Sequence, residues 1–156
     1  MSEPKRKRFE DLSPEAQAII RKKSLGAIFF ASLIMGIMGS ACVIEGAYVL
    51  LRDEAFLAER FKDIDLDKAK LSSLMLAGVG ALEALCAVGT IRLSETPYRA
   101  GFYVTLLVAG NRFVDAMVFH GTFFTFGSLL NLLLALFALM FLFAGRYAIL
   151  TPPPQA

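Results

Sequence analysis

Three of the long apolar segments in this chain carry ionisable side chains well inside them, and these side chains are its main chemical signal. A charge in the middle of a bilayer costs at least ~2.5–3.5 kcal/mol, so such groups face one another, a cavity or a partner. Asp115 follows Arg112 by three residues, close enough on a helix to pair with it. With two asparagines in similar settings, these residues form what we term the polar cluster: Glu45, Glu83, Asn111, Arg112, Asp115 and Asn131.

Two roles for the polar cluster are consistent with the sequence. In the first, Glu83 or Glu45 carries a proton and Arg112 anchors an anionic group. In the second, the cluster is structural and fixes the register of the helices against one another. Ionisable residues within a membrane are functional candidates by default, and the sequence does not decide between the two roles.

The remaining residue types give no sign of an active site. The single histidine, His120, excludes a bis-histidine haem within the chain. Acidic residues alternate in segment 63–67, but the glycine and glutamate that a calcium loop requires are missing. Cys42 and Cys86 lie in apolar segments, where small buried residues are expected rather than a redox pair. We therefore predict no catalytic residue, no metal site and no cofactor, which disfavours an enzyme.

The composition places these residues in a membrane. Hydrophobic residues make up 56% of the 156 residues, whereas a soluble domain has nearer ~45–50%. Crossing a ~30 Å hydrocarbon core takes about 20 helical residues, and four apolar segments are long enough: about 25–51, 71–91, 100–119 and 127–150. We predict an all-α fold, an integral membrane four-helix bundle with residues 25–150 as its transmembrane domain. A soluble bundle would need a continuous polar face on each helix, and none has one.

Lysine and arginine placement predicts the orientation, because short loops rich in these residues stay in the cytoplasm. Basic residues are concentrated in the N-terminal segment, in the second connection at Arg92 and Arg99, and near the end of the last span at Arg146. Both termini are therefore predicted to be cytoplasmic. The expected location of this multi-pass protein is the bacterial inner membrane. Residues 151–156 are expected to form a proline-rich cytoplasmic tail.

Two further helices are expected outside the spans. Residues 1–24 form a basic cytoplasmic segment with a short amphipathic helix, which begins with Ser13 as its cap and Pro14 in its first turn. Its basic residues either only enforce the topology or also bind anionic lipid, at ~1 kcal/mol per residue near the surface. The external connection 52–70 has apolar residues at helical spacing among mixed charges, which predicts an interfacial helix.

Small residues at helical spacing predict which helix faces pack together. In lipid, helices associate by close van der Waals approach and hydrogen bonds, so a face of small residues marks a contact. The second span carries such a seam at steps of four and three: Ser73, Ala77, Gly80, Ala84 and Ala87. The fourth span has a similar one: Asn131, Ala135, Ala138, Leu142 and Gly145. The first span has a small face opposite Glu45: Ser32, Gly36, Gly39, Ser40 and Ala47.

Several single residues resemble the layout of small DoxX-like four-helix bacterial membrane proteins. They are Asp-Glu-Ala-Phe-Leu at 53–57, Gly-Ala-Leu-Glu at 80–83, Arg99 at the start of the third span and Arg112 within it. The likeness covers about residues 25–145 and has no contiguous motif. It implies a fold and a membrane location rather than an activity, and the excess of acid within the spans is not part of it.

Two functions remain from different classes. The chain is predicted to be a non-enzymatic accessory or assembly subunit that docks on a larger membrane complex. The alternative is a small homo-oligomeric transporter or channel whose path is lined by the polar cluster. Size favours the first, because one four-helix bundle has room for little beyond its own packing and shows no repeat or broken helix. The expected partners are the lipid bilayer and either a membrane protein or further copies of the chain, but no nucleic acid.

Overall fold

The fold is helical throughout the part of the chain that a computed structural model describes, residues 9–60, 66–118 and 123–151. A 3-10 turn at Phe9–Asp11 precedes five helices: α1 (Pro14–Leu50), α2 (Glu54–Arg60), α3 (Leu66–Ile91), α4 (Glu95–Val118) and α5 (Phe123–Leu150). The described residues contain no strand, which confirms the predicted all-α class. Three stretches in this part are long and apolar enough to cross a membrane: Pro14–Leu50, Leu66–Ile91 and Leu129–Leu150.

The first helix is one continuous rod of 37 residues, about 55 Å long at the rise of an α-helix. It begins as predicted, with the Ser13 hydroxyl accepting a hydrogen bond from the Ala16 N–H at 3.3 Å and Pro14 in the first turn. It differs from the prediction of a separate short helix in residues 1–24, because no helix-breaking residue lies between Pro14 and the apolar segment. Residues 1–8 lie outside the described part.

The connection after α1 contains a short helix that packs back on the long ones. Leu57 of α2 is buried against Val49 of α1, and the Lys70 ammonium donates to the Glu54 carboxylate at 2.7 Å. This contact holds the pKa of Glu54 below its usual range. In the segment 52–70, where an interfacial helix was predicted, the structure has α2 and the first turn of α3, while residues 61–65 lie outside the described part. The location of this segment at the membrane surface stays a prediction.

The turn between α3 and α4 closes with the two hydrogen bonds of a Schellman motif. The Ser94 N–H donates to the Gly89 carbonyl at 3.2 Å, and the Leu93 N–H donates to the Thr90 carbonyl at 2.9 Å. The motif needs a left-handed residue, usually glycine. Here that residue is Leu93, with φ of 58°. The turn makes α3 and α4 antiparallel neighbours.

The four long helices contact one another in a ring. α1 packs against α3 and α5, and α4 packs against the same two helices from the opposite side. The interior holds fully buried side chains from several helices, among them Met35, Met38, Val108 and Leu142. Large apolar side chains cover the outside of every long helix, an arrangement suited to lipid rather than to water.

Candidate functional site

A buried ion pair links α1 to α4 across the interior of the ring. The Arg112 side chain is 1% exposed, and its guanidinium donates from Nη1 to Glu45 Oε1 at 3.0 Å and from Nη2 to Glu45 Oε2. Nη2 also lies 3.4 Å from the Cys42 Sγ, one helical turn before Glu45. Two parallel donors on one carboxylate form the geometry in which arginine binds a carboxylate most strongly. The charge of Arg112 is therefore neutralised inside the chain.

A second buried pair joins α3 to α4. Glu83 is completely buried, and its Oε1 accepts a hydrogen bond from the Thr105 hydroxyl at 2.9 Å. Its other oxygen, Oε2, has no hydrogen-bond partner among the described residues. The same is true of the buried Thr90 hydroxyl, which lies two turns along α3 from Glu83. Interior polar groups are normally satisfied, so these two atoms are the unusual feature of the site.

The two pairs belong to one polar interior. Cys42 is buried and lies within electrostatic range of Glu45, Glu83 and Arg112. Asn111 and Asn131, the amides of the predicted polar cluster, are both half-buried. The side chain of Asp115 lies outside the described part, so its pairing with Arg112 stays a prediction. No group of three or more metal-ligating side chains comes together in residues 9–60, 66–118 and 123–151.

The small residues of α3 face α1 at very short range. A Cβ at Gly80 would lie 2.6 Å from the Cys42 Cβ and 2.7 Å from the Gly39 carbonyl oxygen. A Cβ at Gly46 would meet the Ser73 carbonyl and would lie 2.9 Å from the Ala77 Cβ. Glycine at 39, 46 and 80 is therefore required for the two backbones to approach. The predicted seam of α3 is the contact with α1, with Ala84 beside Gly39 and Ala87 beside Gly36.

The small residues of α5 face α1 from its other side. Ala135, Ala138 and Leu142 have no exposed surface, and the Ile28 side chain fills the space beside Gly145. The Ser24 hydroxyl of α1 donates to the Ala144 carbonyl at 3.1 Å. The first helix is thus held by two neighbours, one on each side.

An open groove runs along the outer side of the contact between α1 and α3, with a volume of about 710 Å³. Small residues form its floor and large apolar residues form its walls, and none of its lining residues is ionisable. The lining residues are Phe29, Ser32, Leu33, Gly36, Ile37, Ser40, Ala41, Ile44, Ala84, Ala87, Val88 and Ile91. The groove and the polar interior are therefore separate features on different sides of α1.

Three residues of the buried contacts were not predicted from the sequence as functionally important. Thr105 is an isolated threonine in an apolar helix, but it lies seven residues before Arg112 and so on the same helix face. Gly46 was left out of the small face of α1, although it is seven residues from Gly39. Cys42 was treated only as a small buried residue. Spacing by seven from a residue already singled out is the signal that identifies the first two.

Comparison with protein-family models finds no match, and comparisons with curated proteins and with solved structures find none either. The resemblance to DoxX-like proteins therefore stays a prediction.

Proposed function

We propose that this chain is a non-enzymatic subunit of a membrane assembly, a four-helix bundle that docks on other membrane helices through an apolar outer face. The observation that carries the proposal is the closed ion pair of Arg112 with Glu45. A buried arginine that already has a bidentate carboxylate has little capacity left for an anionic ligand. The polar cluster then has a structural role, because breaking such a pair leaves an uncompensated buried charge.

The outer surface supports the same proposal. The groove between α1 and α3 has apolar walls and no ionisable lining residue, so it offers shape and dispersion contacts but no site for a charged solute. Contiguous exposed apolar surface on a protein marks an interaction site or a lipid contact. Because the floor consists of small residues, it allows a close approach of the kind that membrane helices use.

The proposal includes a fourth crossing by α4 and a cytoplasmic location of both termini. α4 packs on α3 and α5, which are two of the three apolar spans, and places Arg112 in the interior. The basic residues Arg21 to Lys23 lie near the start of α1. Arg92 follows the end of α3, Arg99 lies near the start of α4, and Arg146 lies near the end of α5. With antiparallel neighbours, these positions fall on the same side of the bundle. Basic residues on one side favour a cytoplasmic location of that side, as in a bacterial inner membrane.

The test of assembly is the mass of the particle that carries the chain when it is extracted with its surrounding lipid. A chain carrying a tag after Ala156 should leave the membrane in a particle that contains more than one polypeptide, at a fixed stoichiometry. A particle that holds a single copy and no other protein would contradict the proposal.

A second function is favoured by one observation, the unpartnered Oε2 of the fully buried Glu83. A fully buried carboxyl group with one oxygen that has no hydrogen-bond partner in the described chain is the arrangement expected of a proton carrier in a small homo-oligomeric transporter or channel. The purified chain in sealed vesicles would then conduct protons, and Glu83→Gln would abolish the flux. Thr105→Val, which removes the donor to the other oxygen, would alter the flux but not abolish it. Absence of flux with the unaltered chain contradicts this second function.

A further inference from the structure

The two ends of the bundle differ in charge. Segments 1–24, 92–99 and 146–156, which contain the start of α1, the turn between α3 and α4 and the end of α5, together hold ten basic and five acidic residues. The connection 52–70, after the end of α1, holds five basic and six acidic residues. We term the end at which α1 begins and α5 ends the basic end. An excess of positive charge is therefore found at one end only.

Most cations of the basic end have no carboxylate beside them. Four of them form no ion pair with any of residues 9–60, 66–118 and 123–151: Lys22, Lys23, Arg92 and Arg146. Arg99, by contrast, is paired within its own helix. The two lysines and Arg92 are exposed, and Arg146 is half-buried. Cations of this kind at the end of a membrane bundle attract anions from their surroundings.

A contact between α1 and α5 places two of these cations at the same level. The Ser24 hydroxyl on α1 donates to the Ala144 carbonyl on α5 at 3.1 Å. Lys23 directly precedes Ser24, and Arg146 follows Ala144 by two residues. The two charges therefore lie at one height on neighbouring helices, although they are far apart in the chain.

The Arg146 side chain is held in place without being neutralised. Its guanidinium donates from Nη1 to the Phe143 carbonyl and from Nη2 to the Tyr147 hydroxyl, both at 2.9 Å. It also lies 4.1 Å and 4.4 Å from the ring centroids of the same two residues. Neither a carbonyl nor an aromatic ring removes the positive charge, and a guanidinium has further N–H donors. A preorganised guanidinium loses little side-chain freedom when it binds a phosphate.

Exposed aromatic rings lie on the side of these cations that faces the middle of the bundle. Phe30 follows Lys23 by seven residues, so it lies on the same face of α1 and roughly 10 Å further along the helix. Its ring is 51% exposed and packs at 5.8 Å from the ring of Phe141 on α5. Phe143, three residues before Arg146, is 60% exposed. A cation at the edge with apolar surface beneath it suits a ligand that has an anionic head and an apolar tail.

We propose that the basic end binds an anionic phospholipid, with its phosphate at Lys23 and Arg146 and its acyl chains against Phe30 and Phe143. In the proposed topology this end faces the cytoplasmic leaflet, whose anionic lipids attract basic residues near the surface. A soluble phosphate would use the two cations but not the exposed rings. The inference goes beyond the proposed function, because a single chain binds the lipid whether or not it joins an assembly.

The test titrates lipid into the purified full-length chain in a neutral detergent, where the orientation in a membrane has no influence. Native mass spectrometry counts bound phosphatidylglycerol, which is anionic, and bound phosphatidylcholine, which is zwitterionic and carries the same acyl chains. Lys23→Gln and Arg146→Gln each remove one charge of the site. Lys23 is exposed, so its replacement leaves the fold intact. The matched control is Arg52→Gln, because Arg52 lies at the other end of the bundle, over the rings of Tyr48 and Phe56.

The unaltered chain and Arg52→Gln should bind phosphatidylglycerol more tightly than phosphatidylcholine, and each variant of the basic end should weaken phosphatidylglycerol binding by roughly fivefold. Equal affinity of the unaltered chain for the two lipids overturns the inference. So does a preference for phosphatidylglycerol that persists in both variants or falls equally in Arg52→Gln, since the binding then has no site at the basic end. Inorganic phosphate that displaces the lipid at a similar concentration also overturns it. None of these outcomes alters the mass of the assembled particle, which tests the proposed function separately.

Discussion

At the scale of single residues, the fixed charge of Arg112 dominates the interior. A guanidinium stays protonated at any physiological pH, so the fold must supply a carboxylate wherever Arg112 is buried. Glu45 supplies it from a different helix, 67 residues away in the chain. The pair therefore ties α1 to α4 even though the two helices lie on opposite sides of the ring.

Replacing Arg112 tests how much of the stability depends on this pair. Arg112→Met should lower the free energy of unfolding in mixed micelles by ~3–5 kcal/mol, because it leaves Glu45 without its partner. Adding Glu45→Met should restore part of the loss, since a buried pair exchanged for apolar residues is often tolerated. The control Arg99→Met removes an exposed ion pair with Glu95 and should cost under ~1 kcal/mol. Single effects that simply add in the double variant would mean that the two residues are independent.

The sequence predicted that Arg112 pairs inside the membrane but not with which acid. The cost of burial required a partner, and Asp115, Glu45 and Glu83 of the polar cluster were all candidates. Choosing among them depends on the rotation and axial shift of α1 relative to α4, which are set by packing over the whole interface. That packing includes the close approach at Gly39 and Gly46, and no local pattern in the sequence encodes it.

At the scale of helices, the contact between α1 and α3 depends on glycine residues, which have no side chain to keep the two backbones apart. Spacing by four and three correctly placed Gly80 and Ala84 on a common face of α3, since helical periodicity is a local property. The sequence did not show that this face meets α1, because any neighbour with small residues would have fitted. The short helix predicted before the first span is continuous with that span in α1, because polar residues do not stop a helix unless a helix-breaking residue accompanies them.

Adding one methyl group at Gly80 should separate these helices. Gly80→Ala places a Cβ within 3 Å of Cys42 and of the Gly39 carbonyl and should reduce stability by ~1–3 kcal/mol, as overpacking does. The matched control is Gly78→Ala on the same helix, where nothing lies within 4 Å. It should be neutral or stabilising by up to ~1 kcal/mol, because alanine is the better helix former. Equal melting temperatures for the two variants would mean that α3 does not pack as described.

The turn after α3 offers a substitution that should increase the stability of the protein. Leu93 has a left-handed backbone, which costs a residue with a Cβ ~1–2 kcal/mol. Leu93→Gly should therefore raise the melting temperature in detergent. The net stabilisation should be about 0.5–1 kcal/mol, because the greater conformational entropy of glycine in the unfolded chain offsets part of the gain. Leu93→Ala shortens the side chain but keeps the Cβ, so it should give no gain. A gain with alanine equal to that with glycine would place the effect in the side chain instead.

At the scale of the whole molecule, the proposed location of both termini in the cytoplasm requires an even number of membrane crossings. Hydropathy predicted the location of the long helices in the sequence because a run of about 20 apolar residues is stable as a helix in a bilayer. It also predicted a third span at 100–119. The helix α4 runs from Glu95 to Val118 over most of this segment, but it is not among the three stretches of the described chain that are long and apolar enough to cross a membrane, so this span stays a prediction. How the long helices neighbour one another could not be predicted, because several arrangements bury the same residues.

Labelling from one side of the membrane tests this topology. A cysteine introduced at Ala58, an exposed position in α2, should react with an impermeant maleimide from the outside of intact cells. A tag after Ala156 should become accessible only when the membrane is broken. The native Cys42 and Cys86 lie within helices that are predicted to span, so the unaltered chain serves as the background control. Labelling of both sites from the same side would exclude four crossings.

The separation of Glu45 from Arg112 along the chain also has a consequence for synthesis. In the proposed topology, Glu45 enters the membrane with the first helix, while its arginine has still to be translated. At ~5–20 residues per second, the 67 residues between them take ~3–13 s. During that interval α1 has to hold its acid next to water, lipid headgroups or the insertion machinery. The ion pair can form only after the ribosome has delivered α4, so in this topology the completion of the bundle interior depends on the order of translation.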